Sequence, residues 1–283
     1  MKTDIQTKLY ETGYAKLNMA LHVRNRLSNG YHELETIFTF LDKGDLISVS
    51  PALDLELTIS GPFADGLDAP NNLILKAARL LQKECDVAVG AQLHLNKNLP
   101  VASGIGGGSA DAAATLRLLN RHWKLDLPPN KLKNLAKSLG ADVPACVDSE
   151  SAFGRGIGQD LQPLEDSYFS AMHVVLANPL IGISTKEIFE KWNGVDSGTL
   201  CLDDMSQVLL NGRNDLQPIA MALDNSIAPL LSAIENTNPV AARMSGSGAT
   251  CFGIFKSAGL AAAAEMKIRS SIKKIWTMTG QLR

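Results

Sequence analysis

Apolar and polar residues alternate over much of the first hundred positions, and this pattern predicts β-strands. In residues 14–23 every second side chain is apolar, which places Lys16 and Asn18 together on the opposite face of the predicted strand. A polar strand face is most often solvated, and a face that looks into a cleft is the functional alternative. Similar patterns predict strands at residues 34–41 (ending at a polar segment, 42–45), 46–50, 53–60 and 91–96.

Apolar residues spaced three and four apart predict helices elsewhere in the chain. The first is predicted at residues 73–83, with Asn72 as its N-terminal cap. A glycine-studded hairpin is predicted at residues 152–158. Further helices are predicted at residues 131–139, 184–190, 205–210, 219–231 and 258–268, and further strands at residues 173–177, 249–255 and 275–279. This mixture predicts an α+β fold with largely antiparallel sheets.

The length of 283 residues favours two domains that share a cleft over one large domain. Asp and Pro residues cluster at 163–168 between strand-like segments. We therefore expect a domain boundary there, with an N-terminal domain at residues 1–164 and a C-terminal domain at residues 165–283.

The composition is that of an ordinary globular protein, with 45% hydrophobic residues, 20% charged residues and a formal net charge of −2. This balance argues against a nucleic-acid partner, because such proteins carry a basic surface. No run approaches the ~18 apolar residues that a membrane span needs. An anionic ligand must therefore be bound by local features, such as backbone amides and a few lysines.

The four cysteines, Cys85, Cys146, Cys201 and Cys251, lie far apart and form no CxxC pair. This spacing argues against a zinc site and against a disulfide framework. Residues 1–8 lack the apolar core of a signal peptide. We therefore expect reduced thiols and a cytoplasmic protein.

A glycine-rich loop at residues 100–111 carries the clearest chemical information. Four of its residues are glycines at positions 104, 106, 107 and 108, directly before an apolar helix predicted from Ser109, which can cap it. Bare backbone N–H groups and the positive end of a helix dipole are suited to binding phosphate. The loop is neither a Walker A motif nor a G-x-G-x-x-G fingerprint. A plain turn is the alternative, but four glycines so close together favour an anion site.

This loop resembles the phosphate loop of the GHMP kinases, the family of galactokinase, homoserine kinase and mevalonate kinase. Four other segments match the family in order and spacing: Ala15-Lys-Leu-Asn18, Asn29-Gly-Tyr-His32, Leu139-Gly-Ala-Asp-Val-Pro144 and Ser245-Gly-Ser-Gly-Ala249. The resemblance implies a two-domain α+β GHMP kinase fold, with an N-terminal half like ribosomal protein S5 domain 2 and a ferredoxin-like C-terminal half. It also implies ATP-dependent phosphorylation of an alcohol on a small molecule that carries a cytidine diphosphate group, with ATP and this substrate meeting in the cleft.

The resemblance assigns catalytic roles to two residues. Asp142 matches the aspartate that accepts or orients the hydroxyl proton, and Lys16 matches the lysine beside it. Without the resemblance, Asp142 is a helix cap before Val143 and Lys16 is a surface lysine. The residues that match the ATP phosphate loop are Gly104, Ile105, Gly106, Gly107, Gly108, Ser109 and Ala110.

The resemblance also implies binding residues for both substrates. Tyr31, His32 and Phe189 match the cytidine pocket, where aromatic rings stack on the base. Asn18 and Thr185 are candidates for polar groups of the same substrate, and Asn72 and Lys97 for adenine and ribose. Ser109 is the candidate Mg²⁺ ligand. Asp111 is not assigned to metal, because it would repel a phosphate if it pointed the same way. The sequence Asn96-Lys-Asn98 departs from the family pattern in the adenine region.

Three other interpretations remain at this point. Another GHMP kinase, of homoserine or mevalonate type, disagrees with the Gly-Tyr-His motif, because those substrates have no base to stack. A non-catalytic nucleotide-binding protein disagrees with the presence of both Lys16 and Asp142. An RNA-binding protein disagrees with the charge balance. The expected partner is a small molecule, with no nucleic acid and no membrane, and the expected state is a monomer or weak homodimer.

Overall fold

The computed structural model describes residues 8–165, 169–202 and 204–283, and these form an α+β fold. Most of the N-terminal segment 1–8 and the end of the predicted boundary segment, 166–168, lie outside the described residues. The strands are β1 (Leu9–Arg26), β2 (His32–Ala52), β3 (Leu55–Ser60), β4 (Gly90–Asn96), β5 (Ala152–Arg155), β6 (Asp160–Pro163), β7 (His173–Asn178), β8 (Ala241–Met244), β9 (Cys251–Phe255) and β10 (Trp276–Gln281). The helices are α1 (Leu73–Glu84), α2 (Gly107–His122), α3 (Pro129–Ala136), α4 (Val143–Asp148), α5 (Thr185–Glu190), α6 (Met205–Asn211), α7 (Gln217–Leu223), α8 (Ile227–Glu235) and α9 (Ala258–Ser271).

The described residues divide into two compact units that alternate along the chain. The first unit comprises the described residues up to Tyr14, Lys43–Leu99 and Gly107–Asp148, and the second comprises Ala15–Asp42, Pro100–Gly106 and the described residues from Ser149 to Arg283. β1 and β2 therefore each contribute to both units. The expected boundary at residues 164 and 165 stays a prediction.

The first unit combines a small sheet with four helices. β3 pairs in parallel with β4, and β4 pairs antiparallel with residues 46–52 of β2. α1 packs on α2, and α4 packs on both α2 and α3. Asn72 caps α1 as predicted, because its side-chain oxygen accepts from the N–H of Ile74 at 3.0 Å.

β2 is one strand of 21 residues, so the predicted break at residues 42–45 is wrong. Gly44 in this segment is needed for close packing, because a Cβ there would overlap the backbone of Gly13 on β1. Asp45 is fully buried and does not lie in an exposed turn. A Gly flanked by charged residues therefore marks a close approach of two strands within the first unit.

The second unit contains an antiparallel sheet in the order β10-β7-β9-β8. α8 and α9 pack on this sheet, and the core between them includes Val175, Ile234, Phe255 and Ile268. In the same unit, residues 36–38 of β2 pair with β5, which forms the predicted hairpin with β6.

In the second unit one prediction needs correction and one strand has no counterpart in the predictions. The single helix predicted at 219–231 is two helices, because Asp224 Oδ1 accepts from both the N–H and the hydroxyl of Ser226 and ends the first one. The short strand β8 was not predicted, since four residues carry too little periodicity to recognise. Among the described helices, none is both long enough and apolar enough to cross a lipid bilayer.

The four cysteines form no disulfide in the structure, and they differ in burial. Cys146 and Cys251 are buried, whereas Cys201 is exposed. Burial raises the pKa of the Cys251 thiol to about 12, so this group is inert at neutral pH.

Candidate functional site

The glycine loop turns sharply at two of its four glycines. Gly104 and Gly106 have φ values of +77° and +64°, in the left-handed region that favours glycine. A Cβ on Gly106 would lie 2.9 Å from Lys16 Cε, and a Cβ on Gly104 would lie 2.7 Å from the carbonyl oxygen of Gly248. Backbone conformation therefore favours glycine at both positions, and at Gly104 the neighbouring backbone also leaves no room for a side chain.

The first half of the loop is fastened through its carbonyl groups. Ser245, in the second glycine turn, donates from Oγ to the carbonyl oxygen of Gly104 at 3.0 Å. The backbone N–H of Lys16 donates to the carbonyl oxygen of Ile105 at 3.0 Å. Each of these contacts engages a carbonyl of the loop and not an N–H group.

The second half of the loop is the first turn of α2. This helix begins at Gly107, two residues before the predicted start, so Ser109 lies inside the first turn and is not the cap. The first N–H groups of a helix have no acceptor within the helix and carry the positive end of its dipole. Gly107 and Gly108 place no side chain in front of these amides, and the start of α2 is thus suited to bind a phosphate group.

Lys16 and Asn18 form a buried polar chain in the second unit. Both residues are only 3% exposed, so this face of β1 is not the solvated face that is the commoner case. Lys16 Nζ donates to Asn18 Oδ1 at 2.8 Å, and Asn18 Nδ2 donates to Thr36 Oγ1 at 2.8 Å. The ammonium group also lies 4.6 Å from the ring centroid of Phe38, which stabilises its charge. These contacts hold the Lys16 ammonium group next to Gly106.

Lys97 lies in a buried ion cluster of the first unit. Its Nζ is 2.5 Å from Asp45 Oδ2 and 2.7 Å from Asp111 Oδ2, and all three side chains are at most 4% exposed. Burial alone would lower the pKa of Lys97, but the two carboxylates outweigh it and raise that pKa. Burial raises the pKa of Asp111 to about 8, against the opposing effect of the Lys97 charge.

This cluster holds the segment that leads into the glycine loop. Asp45 Oδ1 accepts from the backbone N–H groups of Asn98 at 2.6 Å and Leu99 at 2.9 Å. Lys97 then bridges to Asp111 in α2, and a Cβ on Gly107 would lie 3.0 Å from its Nζ. The Lys97 side chain is engaged by two carboxylates, and its predicted contact with adenine or ribose stays a prediction, as does that of Asn72, whose oxygen caps α1.

Asp142 directly precedes α4. Its carbonyl oxygen accepts from the N–H of Cys146 at 3.3 Å, the first hydrogen bond of this short helix. The side chain is half-buried, whereas residues 143–147 are all buried. This position agrees with the interpretation of Asp142 as a residue at the start of a helix. A catalytic role of its carboxylate is compatible with the same position.

His32 lies in an aromatic cluster with two residues from the α5 region. Its ring centroid is 5.1 Å from that of Phe189 and 5.6 Å from that of Trp192, the second in an edge-on arrangement. Two of the three predicted pocket residues therefore come together, whereas Tyr31 is 58% exposed. Trp192 was missed by sequence reasoning, although its spacing of three from Phe189 is the helical spacing of neighbours.

Arg26 determines which nitrogen of His32 carries the proton. Arg26 Nε donates to His32 Nε2 at 3.3 Å, and an arginine cannot accept a hydrogen bond. His32 Nε2 must accept, so the proton of the neutral ring lies on Nδ1. Burial and the Arg26 charge both lower the pKa of His32, which keeps the ring neutral at pH 7.

Thr185 contacts the second glycine turn. Its hydroxyl lies 2.8 Å from that of Ser247, and Ser184 is the residue that caps α5. Thr185 is therefore positioned next to residues 245–249, which also hold Gly104. Its predicted contact with substrate stays a prediction.

In the described part of the chain, no three His, Cys, Asp or Glu side chains are grouped so that they could hold a metal ion. Mg²⁺ bound with a nucleotide takes most of its ligands from phosphate and water, so it needs few protein oxygens. The Ser109 hydroxyl in the first turn of α2 fits this limited donor set. Asp111 does not, because its Oδ2 is paired with Lys97 in the buried cluster.

Known proteins resemble the chain over nearly its whole length. The family models "GHMP kinases N terminal domain" and "GHMP kinases C terminal" match residues 72–150 and 202–274. The chain is 44% identical to 4-diphosphocytidyl-2-C-methyl-D-erythritol kinase of Agrobacterium fabrum over 278 residues, 93% of this chain and 92% of the relative.

Solved structures agree with these matches. A crystal structure of 4-(cytidine 5'-diphospho)-2C-methyl-D-erythritol kinase has a TM-score of 0.81 at 27% identity, and the alignment covers 97% of this chain and 99% of that one. Homoserine kinase from Cytophaga hutchinsonii has a TM-score of 0.76 at 12% identity, over 100% of this chain and 97% of that one. The second likeness is one of fold alone.

Proposed function

The chain belongs to the 4-diphosphocytidyl-2-C-methyl-D-erythritol kinases of the GHMP family, and from this membership we propose the roles of its individual residues. The enzyme transfers a phosphoryl group from ATP to the 2-hydroxyl of 4-diphosphocytidyl-2-C-methyl-D-erythritol, giving the 2-phosphate and ADP. The reaction belongs to the non-mevalonate pathway to isoprenoid precursors.

The glycine loop and Lys16 bind the phosphates of ATP. The observation that carries this assignment is the conformation of the loop, in which left-handed Gly104 and Gly106 lead directly into the unobstructed amides at the start of α2. The residues that line this path are Gly104, Ile105, Gly106, Gly107, Gly108, Ser109 and Ala110. Lys16 supplies the fixed positive charge that a transferring phosphoryl group requires.

Asp142 accepts or orients the proton of the attacking 2-hydroxyl. A half-buried carboxylate at the start of a buried helix is held more rigidly than one on a surface loop, which favours alignment of the hydroxyl. Mg²⁺ accompanies ATP, with the Ser109 hydroxyl as its protein ligand, and when bound it neutralises charge on the transferring group. Asn72 and Lys97 remain the proposed contacts of adenine and ribose.

His32, Phe189 and Tyr31 bind the cytosine base, with Asn18 and Thr185 near the polar groups of the same substrate. The neutral His32 ring with its proton on Nδ1 presents a donor, and cytosine presents N3 and O2 as acceptors. Phe189 supplies a ring face for stacking. A substrate without a base gains nothing from this cluster, which favours the cytidine substrate over homoserine or mevalonate.

A substrate panel tests the activity. The purified protein is incubated with ATP, Mg²⁺ and either 4-diphosphocytidyl-2-C-methyl-D-erythritol, mevalonate or homoserine, and ADP is measured. We expect ADP with the cytidine compound alone. ADP formation with another alcohol, or with none of the three, would refute the assignment.

Two substitutions test the catalytic residues. Asp142→Ala and Lys16→Ala are each expected to keep the fold and ATP binding and to lower kcat by at least about 100-fold, as is usual for loss of a proton-transfer or charge-stabilising group. Asp148→Ala, at the other end of α4, is the matched control and is expected to keep normal kcat. Near-normal kcat in Asp142→Ala or Lys16→Ala removes that residue from the mechanism.

The proposal also includes a cytoplasmic location, no nucleic-acid partner, and a monomer or weak homodimer. The net charge of −2 and four cysteines that form no disulfide support the first two. Size-exclusion chromatography with light scattering tests the last.

A further inference from the structure

Arg117 connects the helix that begins in the glycine loop with the helix that follows Asp142. It lies on α2, and its Nη1 donates to the carbonyl oxygens of Cys146 at 2.6 Å and Val147 at 3.0 Å. Both carbonyls belong to the C-terminal part of α4, where carbonyl oxygens have no N–H donor within the helix. One guanidinium group therefore satisfies the end of α4 and attaches it to α2.

The other side of the same guanidinium is fixed to β1. Arg117 Nη2 donates to the carbonyl oxygen of Thr12 at 2.9 Å and to Glu11 Oε1 at 3.2 Å. The Arg117 side chain is 19% exposed and that of Glu11 is 11% exposed. A planar fork with four acceptors on two elements holds its position more precisely than a single flexible contact.

α4 depends on such contacts because it is short. A helix of six residues is not stable by itself, so its position is set by what surrounds it. Cys146 joins its two ends: the Cys146 carbonyl accepts from Arg117, and its N–H donates to the carbonyl oxygen of Asp142 at 3.3 Å. A shift of the C-terminal end of α4 therefore moves the backbone of Asp142.

We infer that Arg117 is the positioning residue that aligns Asp142 with the start of α2, where the phosphates bind. This inference rests on the role proposed for Asp142. Arg117 is not proposed to contact either substrate, and it acts on Asp142 through α4. Displacement of a reacting group by about 1 Å lowers turnover by up to about 100-fold, so the effect of losing Arg117 is measurable.

The test uses Arg117→Met, which keeps much of the side-chain stem and removes all the donors, and Arg117→Lys, which keeps the charge without the fork. Arg121→Met is the matched control, because Arg121 lies one turn further along α2 and its partners in the described residues are Tyr10 and Glu11 on β1. Steady-state kinetics are measured with ATP, Mg²⁺ and 4-diphosphocytidyl-2-C-methyl-D-erythritol. Circular dichroism verifies folding, and Arg117→Lys replaces Arg117→Met if the latter does not fold.

We expect kcat to fall 10- to 100-fold in Arg117→Met, with the KM for ATP within threefold of wild type, and to stay within threefold in Arg121→Met. The decisive measurement adds Arg117→Met to Asp142→Asn. If Arg117 acts through the carboxylate, the second substitution changes the residual kcat by less than threefold.

Three results would overturn the inference alone while Asp142→Asn is inactive. These are a normal kcat in Arg117→Met, an equal loss in Arg121→Met, and a full further loss when Arg117→Met is added to Asp142→Asn. A normal kcat in Asp142→Asn itself overturns the proposed role of Asp142 and this inference together.

Discussion

Removal of the Lys97 charge tests whether the buried ion cluster stabilises the first unit. In Lys97→Met the oxygens of Asp45 and Asp111 that Nζ joined remain no more than about 5 Å apart, inside the protein and without a cation between them. Breaking a buried ion pair by removing one partner costs about 3–5 kcal/mol. For a protein of this size that cost corresponds to a fall in Tm of roughly 10 °C.

Lys133→Met is the matched control. Lys133 pairs with Asp148 at 2.7 Å, a distance equal to that between Lys97 and Asp111, but its side chain is 28% exposed. Ion pairs that solvent reaches contribute about 0–1 kcal/mol, so loss of this partly exposed pair should change the free energy of unfolding much less than loss of the buried one. The two variants therefore differ in the burial of the ion pair that is broken, whereas both replace Lys by Met and both break an N–O contact of 2.7 Å.

The assay is urea unfolding followed by circular dichroism. If the loss of the cation is the cause, adding Asp111→Asn to Lys97→Met restores part of the lost free energy of unfolding, because an amide beside Asp45, unlike the Asp111 carboxyl, needs neither a cation nor a bound proton. The reasoning is refuted if Lys97→Met costs no more than Lys133→Met. A large increase in the KM for ATP with unchanged stability would instead support the predicted contact of Lys97 with adenine or ribose.

Three further predictions concern the glycine loop and the cytidine pocket. Gly106→Ala is expected to lower kcat/KM at least tenfold, because a left-handed alanine costs about 1–2 kcal/mol and its Cβ would displace Lys16; unchanged kinetics would contradict this. Phe189→Ala is expected to raise the KM for the cytidine substrate about 10- to 100-fold with kcat and the KM for ATP unchanged, since stacking contributes ~1–3 kcal/mol per base; a fall in kcat alone would exclude the stacking role. Because the pKa of His32 is lowered from 6.5, the neutral ring is present above that lowered pKa and is lost as the pH falls through it. The KM for the cytidine substrate should thus rise only in acid, and in Arg26→Gln the rise should begin at a higher pH; identical pH profiles for the two proteins would disprove the role of Arg26.

Much of the fold could be predicted because its elements have clear local patterns. The cap at Asn72 and the hairpin of β5 and β6 both depend on residues within a few positions of one another. The polar segment at 42–45 was misread as a strand end, because its meaning depends on Gly13, which lies 31 positions earlier in the chain. Local pattern cannot show such a contact.

The residues of the candidate site likewise include some that the sequence could predict and some that it could not. The glycine loop was recognisable from the sequence because its four glycines lie within five positions. The ion cluster was not, since Lys97 lies 52 residues from Asp45 and 14 from Asp111, and each looks like an ordinary charged residue. The partners of His32 were likewise only half foreseen: Phe189 followed from the resemblance, whereas Arg26 and Trp192 become visible only when the second unit is folded.

The alternation of the two units along the chain has a consequence for the protein during translation. Asn18 of β1 bonds to Ser245, 227 positions later, and the N–H of Val23 bonds to Asp215, 192 positions later. When residues 15–26 leave the ribosome, these partners have not yet been made, so β1 can pair with β2 but lacks its contacts with the C-terminal residues during most of synthesis. Long-range closure of this kind is slow and exposes strand edges to aggregation. The nascent chain is therefore expected to depend on holding chaperones until its last hundred residues emerge.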